Sequence, residues 1–322
     1  MKYPIHEDFR SIAISVSLHP VLLPPEQAVT RLLHRSYPCE KDIDYSRDKV
    51  PAYEGKPVSV GIYRPKTALP AAGDRPKSSE TLPALLFIHG GGFALPAVDY
   101  HREILQDYVR SGPCVGIDLD YHLLPANPYP AGLEDCYAVY HWIRENADNL
   151  GIDPSRIALC GDSAGAALAA GLAQKLRDKD ALTPLFQMLV CPVLDARMQT
   201  PSMMAYDDTP VWNAKTNRTM WSMYLKNIDD VEDPVYASPG THPSVEGLPP
   251  AYIEVSEFDC LRDEGLAYAR RLEEAGIPVV LNETKGTRHG FELAKKSPYR
   301  NELLAKRREY LVERFTPDST SP

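Results

Sequence analysis

The segment RIALCGDSAGAALAAGLAQKLRD, Arg156–Asp178, joins a short apolar run to a long run of small residues through a glycine-flanked serine. Arg156–Cys160 reads as a buried strand, and Ala164–Asp178 reads as a helix rich in alanine and leucine with no proline inside it. Between them Gly161-Asp162-Ser163-Ala164-Gly165 must turn strand into helix within a few residues. So tight a turn needs flanks without side-chain bulk, and it lifts the central serine out at a helix N-terminus as a nucleophile elbow. Ser163 is therefore the candidate nucleophile. Glycine-flanked serines are common in loops, and here the strand before and the helix after supply the context that a loop lacks.

Outward from this unit, strand-like runs alternate with longer helical patterns. The strands are expected at Val58–Arg64, Ala84–His89, Cys114–Tyr121, Arg156–Cys160, Leu185–Cys191, Pro250–Val255 and Pro278–Thr284, and the helices at Tyr100–Arg110, Gly132–Asn149, Ala164–Asp178, Asp263–Ala275 and Tyr299–Thr316. That rhythm predicts βαβ units: an α/β fold with a mostly parallel central sheet flanked by helices and chemistry at the carboxyl ends of the strands. Lys66–Leu82, rich in Pro, Ala, Ser and charge, reads as an exposed loop.

Three further motifs stand at strand ends. His89-Gly90-Gly91-Gly92 lies 74 residues before the serine. Consecutive glycines leave backbone N–H groups free to converge on an anion, as a tetrahedral oxyanion requires; Gly91, Gly92 and the N–H of Ala164 are the candidate donors. A phosphate-binding loop is the competing reading, but neither GxGxxG nor GxxxxGK[ST] occurs here. His89 itself is expected to fix the loop by hydrogen bonding. A nucleophilic serine also needs a base and the base an orienting acid. Asp259 follows the strand Pro250–Val255, and His289 follows Pro278–Thr284. Asp263 rivals Asp259 but suits an N-cap or first-turn position, and Asp135, just inside a helix, reads as a structural carboxylate.

Composition narrows the partners. The chain has 322 residues, 43% apolar and 25% charged, enough for a real core, and its net charge of −9 has the wrong sign for nucleic acid or an anionic membrane surface. The six cysteines lack CxxC or Cys/His spacing, so reduced thiols and no metal are expected. MKYPIHEDFR places charge and proline where a secretory signal should be apolar, and no stretch approaches the roughly 18 apolar residues of a membrane span. A cytoplasmic protein without membrane insertion is the expectation.

Two segments break the βα rhythm: residues 1–50, with helical patches around Glu26–Tyr37, and residues 195–238 between two strands. The second holds five of the seven methionines together with Trp212, Trp221, Tyr206 and Tyr224. Met220, Met223 and Tyr224 share a helical face, which lines a substrate pocket or packs on the core, and one helix can do both.

With these pieces assembled, the sequence resembles the hormone-sensitive-lipase-like branch of the α/β-hydrolases, serine carboxylesterases with an HGGG loop and a GDSAG elbow. The matching pieces are IYRP (Ile62–Pro65), FIHGGGF (Phe87–Phe93), DLDYHLLPANPYPAGLEDC (Asp118–Cys136), GDSAGA (Gly161–Ala166), SEFDCLRDEG (Ser256–Gly265) and RHGF (Arg288–Phe291). The resemblance implies an α/β-hydrolase fold in which Ser163, Asp259 and His289 form a triad and Gly91, Gly92 and Ala164 the oxyanion hole. It also implies a helical cap from residues 1–50 and 195–238 over a core of 51–194 and 239–322. Phe93, Met220, Met223, Tyr224 and Phe291 are the expected pocket residues. No cofactor is implied, the substrate is a small-molecule ester, and a second copy of the chain is a candidate partner. Two departures stand out: where relatives read close to YRLAPE this chain has Tyr121-His122-Leu123-Leu124-Pro125-Ala126, and Ala166 takes the place of a glycine.

Three functions fit these residues. The first is hydrolysis of short- to medium-chain or aromatic carboxylic esters. The second is an amidase, deacetylase or non-hydrolytic enzyme on the same site, because fold and triad do not define the leaving group. The third is a non-catalytic small-molecule receptor, a role that loss of a triad member would favour and that this chain, keeping all three, does not suggest.

Overall fold

Alternation along Leu82–Ile88 (β3) divides the molecule into two cores. Ala84, Leu86 and Ile88 face one layer of helices while Leu85 and Phe87 face the other, and all five are buried. The computed structural model describes residues 2–12, 14, 16–34, 38–66 and 81–316. Its eight strands are β1 (Ile43–Pro51), β2 (Pro57–Pro65), β3, β4 (Val115–Asp120), β5 (Ile152–Asp162), β6 (Gln187–Val190), β7 (Ala251–Ser256) and β8 (Val279–Thr284). They lie in the order β1-β2-β4-β3-β5-β6-β7-β8, with β2 antiparallel to both its neighbours, β1 and β4, and every other pair parallel.

The helices are α1 (Leu23–Leu33), α2 (Asp99–Ser111), α3 (Ala131–Glu145), α4 (Ala147–Leu150), α5 (Ala164–Asp180), α6 (Pro201–Ala205), α7 (Ala214–Tyr224), α8 (Arg262–Glu274) and α9 (Pro298–Phe315). Helices α3, α5 and α8 cover one face of the sheet, and α2 and α9 the other. All seven expected strands are present, and β1 is an addition. Its sequence IDYSRDKVP buries only Ile43 and Val50, so it carries no alternating apolar signal. Its place at the sheet edge moves the expected boundary of the N-terminal segment: residues 43–50 belong to the sheet. The single helix expected over Gly132–Asn149 is broken at Asn146 into α3 and α4. Most of the expected loop Lys66–Leu82, and the end of the helical patch at Tyr37, lie outside the described residues.

The departures near β4 have a local resolution. His122 pairs with the fully buried Asp135 (Nδ1 to Oδ2 2.8 Å), which also accepts the N–H groups of Tyr53 and His122, so Asp135 is structural as expected.

Two buried arginines tie distant parts of the chain to the sheet's carboxyl end. Arg307 of α9 donates to both oxygens of Glu254 on β7 and, at 2.6 Å, to Glu292. Arg288 donates to the carbonyls of Phe9 (3.1 Å) and Ile12, while His6 N–H donates to Gly286 O at 2.8 Å. The N-terminal segment thus runs against the loop that follows β8, and Phe9 packs on Phe291. It also joins the 195–238 segment through Tyr3–Asp208 (2.6 Å) and Val211 N–H to Ile14 O (2.7 Å).

Arg307→Met leaves two buried carboxylates without their guanidinium. It is expected to lower the unfolding free energy by about 3–5 kcal/mol, read as a lower urea midpoint with an unchanged m-value.

Candidate active site

Strand β5 hands over to α5 at Ser163, whose backbone sits at φ 56° and ψ −120°. That conformation is strained for a non-glycine residue, by about 1–3 kcal/mol, and the neighbouring glycines show why the chain has no other route. A Cβ on Gly165 would lie 2.0 Å from the carbonyl oxygen of Ile88, and one on Gly161 2.4 Å from Gly165 itself. The helix therefore begins in backbone contact with β3, and Ser163 is held out into a cleft while only 5% exposed.

His289 Nε2 lies 2.9 Å from Ser163 Oγ, and His289 Nδ1 lies 2.7 Å from Asp259 Oδ2. The carboxylate accepts a hydrogen bond from Nδ1–H, which leaves Nε2 as the acceptor for the serine hydroxyl. Asp259 Oδ1 is fixed in turn by Leu261 N–H at 3.0 Å. Burial pulls the His289 imidazole toward neutrality, but the charge of Asp259 and its hydrogen bond outweigh burial and leave its pKa raised above the ordinary histidine value. This chain of bonds can pass a proton from serine to imidazole and hold an imidazolium beside a carboxylate. Asp263, the rival acid, sits in the first turn of α8 and accepts Ser202 N–H at 2.7 Å.

The glycine loop lies against the elbow. Gly91 (φ 114°) and Gly92 (φ 61°) line the same cleft as Ser163, and no acceptor among the described residues takes the N–H of Gly91, Gly92 or Ala164. Asp162 fastens loop to elbow: its Oδ1 accepts Gly90 N–H and its Oδ2 accepts the Tyr100 hydroxyl, each at 3.0 Å. Burial would raise its pKa, but His101, the Tyr100 hydroxyl and His89 bring it down to about 2. His89 holds its own loop through Nδ1 to Gly90 O (2.7 Å) and stacks on Tyr121; burial, then the neighbouring His101, lowers its pKa to about 4, so it is neutral.

The cleft, about 210 Å³, is not lined by the five residues expected. Phe93 and Tyr224 stack on each other at 3.9 Å inside the main core, with Met220 and Met223 buried beside them, and Phe291 packs on Phe9. The apolar stripe of α7 is thus a core-packing face, the plainer of its two readings. Ile14, Val16, Leu95, Val211, Trp212 and Leu293 form the apolar walls instead, and Tyr100, Cys191 and Glu292 are polar members of the lining. Trp212 covers the glycine loop so closely that a Cβ on Gly92 would lie 2.5 Å from its ring. These residues come from separate segments and share no period; adjacency to a motif was the available signal for Asp162 and Glu292. Among the described residues, donor atoms placed to hold a cation occur at Cys191, Asp259 and His289, all within 4.8 Å of one another. Asp259 and His289 are already engaged with each other and with Ser163. All six cysteines are free thiols, and burial pushes that of Cys191 well above its usual value.

A family model for the alpha/beta hydrolase fold matches residues 85–293. Esterase LipI of Mycobacterium tuberculosis is 34% identical over 235 residues, which span 73% of this chain and 71% of that protein. Of the solved structures, esterase LipW from Mycobacterium marinum superposes with a TM-score of 0.85 at 31% identity, covering 98% of this chain and 97% of that one. A bacterial heroin esterase superposes with a TM-score of 0.86 at 30% identity, covering 98% and 100%.

Followed by NMR, the His289 imidazole is expected to titrate above the ordinary histidine value of about 6.5. In Asp259→Asn the largest raising charge is gone, those of Glu292 and Asp162 stay and burial remains, so the titration is expected to move to lower pH.

Proposed function

The chain belongs to the hormone-sensitive-lipase-like family of α/β hydrolases, and from that premise we propose that it is a serine carboxylesterase acting through an acyl-enzyme. The single observation that carries the reading is the unbroken run of hydrogen bonds from Asp259 through His289 to Ser163. His289 takes the hydroxyl proton as Ser163 Oγ attacks the ester carbonyl, and Asp259 keeps the imidazole in the right tautomer and stabilises the imidazolium. The N–H groups of Gly91, Gly92 and Ala164 receive the oxyanion, each donor worth about 3 kcal/mol of barrier. His289 then gives its proton to the departing alcohol and activates the water that releases the acid.

The dimensions favour small esters. A cavity of about 210 Å³ is below the roughly 300–1,000 Å³ of sites for drug-sized ligands. The N-terminal segment up to residue 42 and residues 195–238 form the cap of this reading; Ile14, Val16 and Trp212 are their contributions to the cleft wall. No helix among the described residues is long and apolar enough to cross a membrane, and the net charge of −9 supports a neutral or cationic ester over nucleic acid as the partner.

With p-nitrophenyl esters from acetyl to dodecanoyl, turnover is expected to peak at short acyl chains. Ser163→Ala is expected to lower kcat by about four to six orders of magnitude, and turnover surviving in that variant would remove the acyl-enzyme reading. On the acid side kcat/KM is expected to rise with pH through the raised pKa of His289, since only the neutral imidazole accepts the proton.

A further inference from the structure

One charged group in the lining of the cleft has no part in ester hydrolysis as described. Glu292 follows His289 by three residues, in the short turn Phe291–Leu293, and lines the cleft together with Ser163 and His289 while only 4% exposed. Its backbone carbonyl accepts Arg300 Nε–H at 2.8 Å and its Oε1 accepts Arg307 Nη2–H at 2.6 Å. Among the described residues no donor reaches its Oε2.

Arg307 does not account for this acid. Its guanidinium already meets both oxygens of Glu254, which Tyr252 hydroxyl and Asn282 amide complete at 2.9 Å each. Two carboxylates therefore share one guanidinium, whereas the nearby Asp162 has both oxygens engaged and His101 Nε2 at 3.3 Å from its Oδ2. What is left over is one carboxylate oxygen without a protein donor, on a residue lining a cleft walled mostly by Val, Leu, Ile and Trp, with Tyr100, His101, Asp162 and Cys191 as its polar members beside the triad. Oε2 is not sealed from solvent, so water meets it until a ligand does, and an ionised acceptor set among apolar walls favours a charged donor most.

We propose that Glu292 is a specificity-determining residue whose Oε2 receives a protonated amine of the substrate, so that the preferred esters carry an ammonium group within a few bonds of the ester. This rests on the carboxylesterase reading above. The small cavity shared by Glu292 and Ser163 sets the short separation, and the apolar walls take the remaining carbons.

Two pairs of matched esters test it at pH 7.5. On the alcohol side, 2-(dimethylamino)ethyl acetate is compared with its carbon isostere 3-methylbutyl acetate; on the acyl side, ethyl 3-(dimethylamino)propanoate is compared with ethyl 4-methylpentanoate. Each kcat/KM is divided by that ester's hydroxide-catalysed rate, to remove the intrinsic activation by the ammonium group. In the wild type at least one pair is expected to favour the amine by about tenfold or more, and Glu292→Gln to bring that ratio down toward one. The ratio is internal to each protein, so a partly folded variant does not distort it. Inhibition of the wild type by the amino alcohol or amino acid product, stronger than by the carbon isostere for the same side, supplies a readout that needs no variant. Ratios near one in both wild-type pairs, or a preference that persists in Glu292→Gln, overturn the proposal. Failure to hydrolyse any of the four esters, or p-nitrophenyl acetate, overturns the carboxylesterase reading instead.

Discussion

The close approach of α5 to β3 organises the reacting end of the molecule. With Gly165 set against the carbonyl of Ile88, there is no space for a gentler entry into the helix, and the whole change of direction falls on Ser163. The same contact brings the end of β3, and hence His89–Gly92, beside the serine. Asp162 then locks loop and elbow together through Gly90. Strain at one residue, glycine at two flanking positions and the placement of three N–H groups are consequences of one backbone contact. Rigid elements hold the reacting atoms, as precise placement requires.

Charge is buried around this framework in compensated sets. The imidazole between Ser163 and Asp259 is poised to gain a proton because a carboxylate faces it. His89, lacking such a partner, is kept neutral by the same burial and serves to fasten the loop. Both histidines are buried, and the neighbouring carboxylate separates their behaviour. Arg307 and its two acids form the third set, in which two carboxylates share one guanidinium.

The elements that a short window of sequence determines were legible in it. The β5–α5 unit announces itself by a change of period across a glycine-flanked serine, and Asp259 and His289 stand directly after apolar runs that can only be strands. The edge strand β1 escaped because seven of its nine residues are not buried. The cleft walls escaped for a different reason. A helical stripe such as Met220, Met223 and Tyr224 reveals that a face is buried but not against what, and here it is the core. Ile14, Trp212 and Glu292 meet only once three distant segments have folded together.

The ties of Arg288 to Phe9 and Ile12 span nearly the whole chain, with 279 residues between Arg288 and Phe9. During synthesis the segment holding Ile5 and Phe9 emerges long before the loop it must cover, and its apolar side chains have no seat until β8 and α9 are made. Closure of the His289 loop is thus a late, long-range event, of the kind whose chain-entropy cost comes before its contacts form. A nascent chain that already holds Ser163 and the glycine loop still lacks the imidazole that meets the serine hydroxyl until the His289 loop is made and seated.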